Sequence, residues 1–387
     1  MIQREIQIEL KNLSKEYPVV TIIGPRQSGK TTLAKYVFNE YTYTNLEHPE
    51  TRVLAADDPN AFFNTFKRPL IIDEIQRVPQ LLSYIQVMVD EKNDVGQFIL
   101  TGSNQLQLSE SITQSLAGRT AILKLLPFTI NELKLSGISL SRDEHLSKGF
   151  LPRIYDQNQE SFRAYGNYLE TYVERDVRQQ INVKNLSQFE TFLKLLAGRI
   201  GSVLNLHSIS NDLGVSSTTL SQWISILEAS FIIYRLNPYY KNFGKRLIKA
   251  PKVYFTEVGL ASYLLGIQTP EMIGRDPLLG GLFENMVIID MLKKRHNQGL
   301  PDNLFYFRDN HGNEVDLVFE VSGQLIPVGI KAAMTFNKKM CKGISYFQKI
   351  VKNSSNGYIV YSGGLEFESN EYKVCNFKHF SDEVHHN

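Results

Sequence analysis

The apolar run Val19–Ile23 predicts a buried strand, and the spacing of Leu33, Ala34, Val37 and Phe38 predicts a helix shortly after it. Two more runs read as strands. PLIIDE at 69–74 opens with a proline and fits a buried parallel strand, and FILTGSN at 98–104 ends in polar residues. A further strand-like run follows Arg119 within SLAGRTAILKLLPFT, residues 115–129. From residue 130 to residue 250 the pattern turns mainly helical. Apolar or aromatic residues at 168, 169, 172, 173 and 177 make a helical stripe, beside the charged residues Glu174, Arg175, Asp176 and Arg178. Residues 208–230 read as helix–turn–helix, with Gly214 as a C-cap and Ser216 or Ser217 as an N-cap. Leu213, Val215, Leu220, Trp223, Ile224 and Leu227 form the expected core of this pair. Residues 304–333 alternate as strands, with Ser322-Gly323 as a hairpin turn, and a helix at 280–296 precedes them.

Length and composition narrow the class. A chain of 387 residues predicts two or three domains. Hydrophobic residues at 42% and charged residues at 21% exclude a disordered or collagen-like chain. The net charge of +2 gives no bulk attraction to nucleic acid or membrane, so such binding needs a local patch. The two cysteines, Cys341 and Cys375, make neither a disulfide framework nor a metal cluster. The opening MIQREIQIEL carries charges throughout, and no apolar run approaches the roughly 20 residues that span a bilayer. A cytoplasmic location and no membrane partner are expected.

Candidate chemistry concentrates after the first strand. Gly24, Gly29, Lys30 and Thr31 fit G-x-x-x-x-G-K-[ST] between strand and helix. Triphosphate oxygens must meet backbone N–H groups closely, so the loop needs residues without a Cβ. The helix N-terminus adds favourable partial charge. Gly24, Pro25, Arg26, Gln27, Ser28, Gly29, Lys30, Thr31 and Thr32 are the expected nucleotide-binding residues. Lys30 is expected to reach the β- and γ-phosphates, and Thr31 to ligate Mg²⁺. Asp73 is the second expected metal residue. Glu74 at the strand tip could orient and deprotonate an attacking water. Ser103 or Asn104 could contact the γ-phosphate or that water; a plain polar turn at Gly102 is the alternative. No N-K-x-D guanine-reading motif occurs, which favours ATP. Arg119 could stabilise transition-state charge on its own nucleotide or a neighbour's, or be an ordinary surface arginine.

Taken together, these segments resemble the bacterial and archaeal AAA-type ATPases that carry a C-terminal domain of unknown function with a restriction-endonuclease-like fold. The resemblance rests on IIGPRQSGKTTL, YTNLEHPE, LIIDEIQRVPQLL, FILTGSNQLQL and SLAGRTAILKLLPFTINEL in the first part. It continues through LGVSSTTLSQWISILEASFIIYRLNPY, KVYFTEVGLASYLLG, LFENMVI and GNEVDLVFEVSGQLIPVGIK. It implies an α/β chain: a P-loop AAA-type ATPase core with a parallel sheet at 1–135, a helical and winged-helix part at 136–252, and a small endonuclease-like domain at 253–387. The strand bearing Ser103 and Asn104 is implied to lie between the P-loop strand and the Asp73-Glu74 strand. ATP binding and hydrolysis are implied.

The remaining readings concern partners. The helix–turn–helix segment 208–234 holds no Lys or Arg, whereas 235–252 is basic, with Arg235, Lys241, Lys245, Arg246, Lys249 and Lys252 among Tyr239, Tyr240 and Phe243. That stretch could grip a DNA or RNA backbone, or form a solvated face of a subunit-packing element. At the C-terminal end the order resembles a PD-(D/E)xK nuclease core, with Glu284, Asp316 and Lys331 in three of its places and Gly329 where an acid belongs. Folding the hairpin about Ser322-Gly323 pairs residues whose numbers sum to roughly 645, which sets Asp316 opposite Gly329 and Glu314 opposite Lys331. Nuclease activity is disfavoured on that ground. The expected function is an ATP-driven switch acting on nucleic acid or protein, with homo-oligomers as a further partner class. A regulatory or scaffold protein without turnover is the alternative, and a metal-dependent nuclease the third.

Overall fold

The computed structural model describes residues 2–92, 94–103, 112, 114–173, 186–239 and 249–384. Five parallel strands form the first sheet among these residues: β1 Val19–Ile23, β2 Thr42–Asn45, β3 Leu70–Asp73, β4 Phe98–Gly102 and β5 Thr120–Lys124. Their order is β2-β3-β4-β1-β5. The strand leading to Ser103 therefore lies between the P-loop strand and the strand ending in Asp73. β1, β3 and β4 are buried along their whole length, which is why they read as continuous apolar runs. Helix Lys30–Val37 closes one apolar layer through Leu33 and Ala34, together with Ile6 and Leu10. Helix Leu81–Glu91 covers the other layer with Leu81, Leu82 and Ile85 against Ile72 and Leu100.

Short helices follow. Ile130–Leu135 and Arg142–Lys148 each begin with a reciprocal cap, Thr129 with Glu132 and Ser141 with Glu144. Helix Ser161–Tyr168 continues as a wider π-turn over Leu169–Val173. The charged cluster Glu174, Arg175, Asp176 and Arg178 lies outside the described residues. Helix Leu206–Leu213 ends at Gly214 in the left-handed region, φ 68°, where glycine meets no steric penalty. The Ser216 hydroxyl accepts from the Thr219 N–H and starts helix Ser217–Ala229. Leu220, Trp223, Ile224 and Leu227 are buried; Leu213 and Val215 are only partly covered.

The chain then forms an antiparallel hairpin, β6 Ile233–Pro238 with β7 Lys252–Phe255. The expected boundary after residue 252 falls inside this hairpin. Six later strands complete a second sheet: β8 Leu304–Arg308, β9 Glu314–Val321, β10 Gln324–Lys331, β11 Gly357–Tyr361, β12 Phe367–Glu368 and β13 Tyr372–Asn376. The order is β12-β13-β11-β10-β9-β8-β6-β7. β9 and β10 pair from Gln324↔Val321 to Val328↔Leu317, the register that the turn at Ser322-Gly323 predicts. The hairpin joins this sheet through Asn237↔Phe305 and Pro238↔Tyr306, so one sheet bridges two expected domains. Helix Leu279–Asn297 is buried over most of its length against it. No described helix is long and apolar enough to cross a membrane.

Candidate nucleotide-binding site

The loop between β1 and helix Lys30–Val37 is shaped by backbone proximity. A Cβ on Gly24 would stand 2.1 Å from the carbonyl oxygen of Leu125, which leaves β5 beside it. Gly29, at φ 91°, is the last residue before the helix, and Gln27 also has a positive φ of 61°. Ser28 is fully buried, with a hydroxyl that has no hydrogen-bond partner, and Thr32 is exposed. The Lys30 ammonium folds back onto the loop, 3.1 Å from Gly24 O and 2.8 Å from Pro25 O. Burial pulls its pKa down to about 8; Glu74 and Asp73 oppose that fall, and Arg26 adds to it. A phosphate in the loop would supply the counter-charge that Lys30 lacks.

Asp73 is the hub of the adjoining strand tips. Its carboxylate accepts from the Thr31 hydroxyl at 2.9 and 3.0 Å and from the Tyr43 hydroxyl at 3.1 Å, and also from Thr101 Oγ1. Glu74 follows in the left-handed region, φ 58°. Its carboxylate accepts from Ser103 Oγ at 3.2 Å and from the Gln76 amide. The Glu74 N–H donates to Thr101 Oγ1 at 3.2 Å. Lys30, Thr31, Asp73, Glu74 and Ser103 thus meet at the C-terminal edge of the sheet, where open α/β sheets hold their ligands. A hydroxyl beside a carboxylate is an oxygen donor set that suits a hard divalent cation, so Thr31 and Asp73 fit the implied Mg²⁺. Asn104 lies outside the described residues.

Arg119 lies elsewhere. Thr120, the next residue, pairs with Val19 at the beginning of β1, whereas the loop leaves β1 at its end. The guanidinium is held by Asp90, with contacts of 2.6 and 2.8 Å. Its position sets it apart from its own nucleotide loop, which leaves the other two readings, a role toward a neighbouring subunit or an ordinary surface arginine paired with Asp90.

Sequence reasoning missed four residues here. Tyr43, Gln76 and Thr101 orient the two carboxylates, and Arg4 supports the loop from behind. Arg4 is 5% exposed, with Nη1 2.8 Å from Ser28 O, Nη2 2.7 Å from Leu126 O and Nε 3.0 Å from Glu132 Oε1. Thr101 carried a signal, as a polar residue inside the apolar run of β4. Arg4 carried none, because its partners are remote in sequence.

The basic stretch and the C-terminal cluster also depart from expectation. Tyr240, Lys241, Phe243, Lys245 and Arg246 lie outside the described residues. Arg235 pairs with Glu228. Lys252 is no surface cation: it is buried between Glu284 and Glu314. Glu314 meets Lys252 and Arg308 instead of Lys331, and Lys331 pairs with Asp316 at 2.7 Å. A Cβ at Gly329 would meet Ile359 Cδ1 at 3.0 Å and Ile344 Cδ1 at 3.9 Å. The Met340 carbonyl oxygen would stand at 3.5 Å as well, so the space beside position 329 is already occupied.

Comparison with known families assigns residues 16–134 to an AAA domain. Residues 140–271 and 279–380 match two domains of unknown function, DUF8612 and DUF4143. The five-stranded parallel sheet and phosphate loop agree with the first match, and this part of the chain is a P-loop ATPase-type domain. Among solved structures, the Walker-type ATPase PABY2304 of Pyrococcus abyssi aligns over 68% of this chain and 96% of its own, at 13% identity and a TM-score of 0.46. The uncharacterized protein MJ1637 of Methanocaldococcus jannaschii is 24% identical over 74% of this chain and 70% of its own. The uncharacterized protein Rv2008c of Mycobacterium tuberculosis is 30% identical over 341 residues, 86% of this chain and 74% of its own. The chain belongs to the same family as Rv2008c.

Proposed function

We propose that the protein is an Mg²⁺-dependent ATPase whose nucleotide state is passed to the domains behind the loop. The observation that carries this reading is the meeting of Lys30, Thr31, Asp73 and Glu74 at one sheet edge, with Glu74 oriented by Ser103 and Gln76. Lys30 exchanges its two loop carbonyls for phosphate oxygens. Thr31 and Asp73 are the residues that would hold Mg²⁺, which when bound neutralises charge on the phosphates. Glu74 takes a proton from the attacking water. Tyr43 and Thr101 keep Asp73 in place.

The contacts behind the loop support coupling. Arg4 joins Ser28 to Glu132. Glu5 and the peptide of Ile130 meet Lys294 and Asp290 of helix Leu279–Asn297. Lys293 of the same helix donates to Phe128 O at 2.9 Å. A shift of the loop thus bears on the C-terminal domain through hydrogen-bonded groups; two discrete arrangements of this network would make it a switch. With Arg119 away from its own loop, any part it takes in hydrolysis is on a neighbouring subunit's nucleotide and requires an oligomer. A nucleic-acid partner rests on the basic stretch alone, without Arg235 and Lys252.

ATP turnover of wild type, Lys30→Ala and Glu74→Gln, each with and without DNA and RNA, tests the reading. Wild type should hydrolyse ATP, Lys30→Ala should lose binding, and Glu74→Gln should bind without hydrolysis. Stimulation by one polymer would name the partner class.

A further inference from the structure

The second sheet carries a closed cluster of charges that the ATPase reading does not use. Lys252, at the start of β7, is 1% exposed, and its ammonium lies 2.8 Å from Glu284 Oε1 and 2.5 Å from Glu314 Oε1. Glu284 also accepts from the Tyr254 hydroxyl. Glu314 has a second cation, Arg308, at 3.3 Å. Asp316 accepts from the Lys331 ammonium at 2.7 Å and from the Ile330 N–H at 2.6 Å. The carboxylates of Glu284, Glu314 and Asp316 are thus matched one for one by Lys252, Arg308 and Lys331. Burial disfavours charge on both partners: it holds the Glu284 carboxyl above its ordinary pKa despite Lys252, whereas at Lys252 the carboxylates of Glu284, Glu314 and Asp316 outweigh it and raise the lysine's pKa.

The endonuclease resemblance implies a divalent metal at this place, and the residues do not fit one. Position 329 offers no carboxylate, and a Cβ there would already meet Ile359 Cδ1 at 3.0 Å and the Met340 carbonyl oxygen at 3.5 Å. The space between Glu284 and Glu314 is filled by the Lys252 side chain. Asp316 is committed to Lys331 and a backbone N–H. Among the described residues, no group of three His, Cys, Asp or Glu side chains is arranged to hold a metal.

We propose that Lys252 is the resident cation of this cluster: its tethered ammonium takes the place of a divalent ion and fastens the β6–β7 hairpin to helix Leu279–Asn297 and strand β9. An ammonium has no open coordination position, so it cannot activate water as a bound metal does. It can balance the charge of one carboxylate, contact two and fix their positions. A free ion would have to displace a cation that the chain itself holds in place, a competition that tethering strongly disfavours. The cluster that would serve chemistry in a nuclease serves here to join the hairpin to the C-terminal domain. This inference is independent of ATP hydrolysis.

The test uses full-length protein without nucleotide. Wild type, Lys252→Met, Glu284→Gln and the double variant Lys252→Met/Glu284→Gln are titrated with Mn²⁺, and bound metal and melting temperature are measured. Methionine keeps the length of the stem and removes the charge. Wild type should bind no Mn²⁺ that depends on Glu284, and any rise of its melting temperature with Mn²⁺ should be the same in Glu284→Gln. Lys252→Met leaves buried carboxylates unmatched and should melt roughly 10 °C lower. The double variant, with one carboxylate neutralised, should recover part of that loss. Should Lys252→Met fail to fold, the double variant and the wild-type titration still decide the matter. Mn²⁺ bound by wild type and lost in Glu284→Gln overturns the proposal. So does a Lys252→Met protein that melts like wild type, or a double variant less stable than the single.

Discussion

Arg4 Nη1 lies 2.8 Å from the carbonyl oxygen of Ser28, so a residue near the beginning of the chain holds the back of the phosphate loop. The same guanidinium is paired with Glu132, which is fully buried as a side chain. Removing one partner of a buried pair costs about 3–5 kcal/mol because the other charge stays behind. Arg4→Ala should therefore unfold at clearly lower denaturant concentration, and Arg4→Ala/Glu132→Gln should recover part of the loss. Nucleotide affinity should fall in Arg4→Ala and be intermediate in Arg4→Lys, which can reach fewer of the three acceptors. Equal affinity in all three proteins would remove Arg4 from the support of the loop.

Lys30 predicts a pH dependence of binding. Burial leaves its pKa at about 8 in the free protein, and phosphate binding requires the ammonium form. Below pH 8 the proton is already present. Above it, binding must take up a proton, so ATP affinity should fall by up to about tenfold per pH unit. Titration with a fluorescent ATP analogue from pH 7 to pH 9.5 would show the decline in wild type. A flat wild-type profile would mean that Lys30 titrates well above 8.

The nucleotide site was more legible in the sequence than its support. A phosphate loop imposes its residue types at fixed spacing, because backbone N–H groups and a close approach at Gly24 set the geometry locally. Asp73 and Glu74 stood out as acids ending an apolar strand. The β9–β10 register followed from the turn at Ser322-Gly323. Pairing did not reveal which cation each acid would choose: Lys252 reaches Glu314 from β7, on the far side of β8 in the sheet. Nor did it reveal that a Cβ at 329 would point toward Ile359. Arg119 drew attention through its place before a strand, but parallel pairing puts the beginning of that strand at the end of the sheet away from the loop. Long side chains crossing between elements are set by tertiary packing, which no local pattern encodes.

His145 predicts an acid sensitivity. It is buried, with its ring stacked on Phe150 at 5.4 Å, and its Nδ1 has no partner. Burial lowers its pKa from 6.5 to about 3; Lys378 adds to the fall and Glu144 opposes it. The unfolded chain then binds the proton more readily, so this residue's contribution to stability is present above pH 6.5 and is lost as pH falls toward 3. His145→Phe should flatten the fall in stability across that window, measured by denaturant unfolding at successive pH values. An unchanged slope would contradict the buried neutral imidazole.

Arg119 predicts complementation between subunits. Arg119→Ala should bind ATP as wild type does and hydrolyse it slowly. Lys30→Ala should be inactive by itself. Mixing the two should restore turnover in excess of their sum, because a Lys30→Ala subunit can supply Arg119 to a neighbour with an intact loop. A mixture no more active than its components would assign Arg119 to its Asp90 pair alone.

The most direct test of the nucleotide reading is ATP hydrolysis by Glu74→Gln beside wild type, with ATP affinity measured on both. The amide keeps the shape of the side chain and cannot accept the proton of the attacking water. Wild type should show measurable Mg²⁺-dependent turnover, and Glu74→Gln an affinity close to wild type with turnover lowered by about 100-fold or more. Hydrolysis by Glu74→Gln at the wild-type rate would contradict that reading.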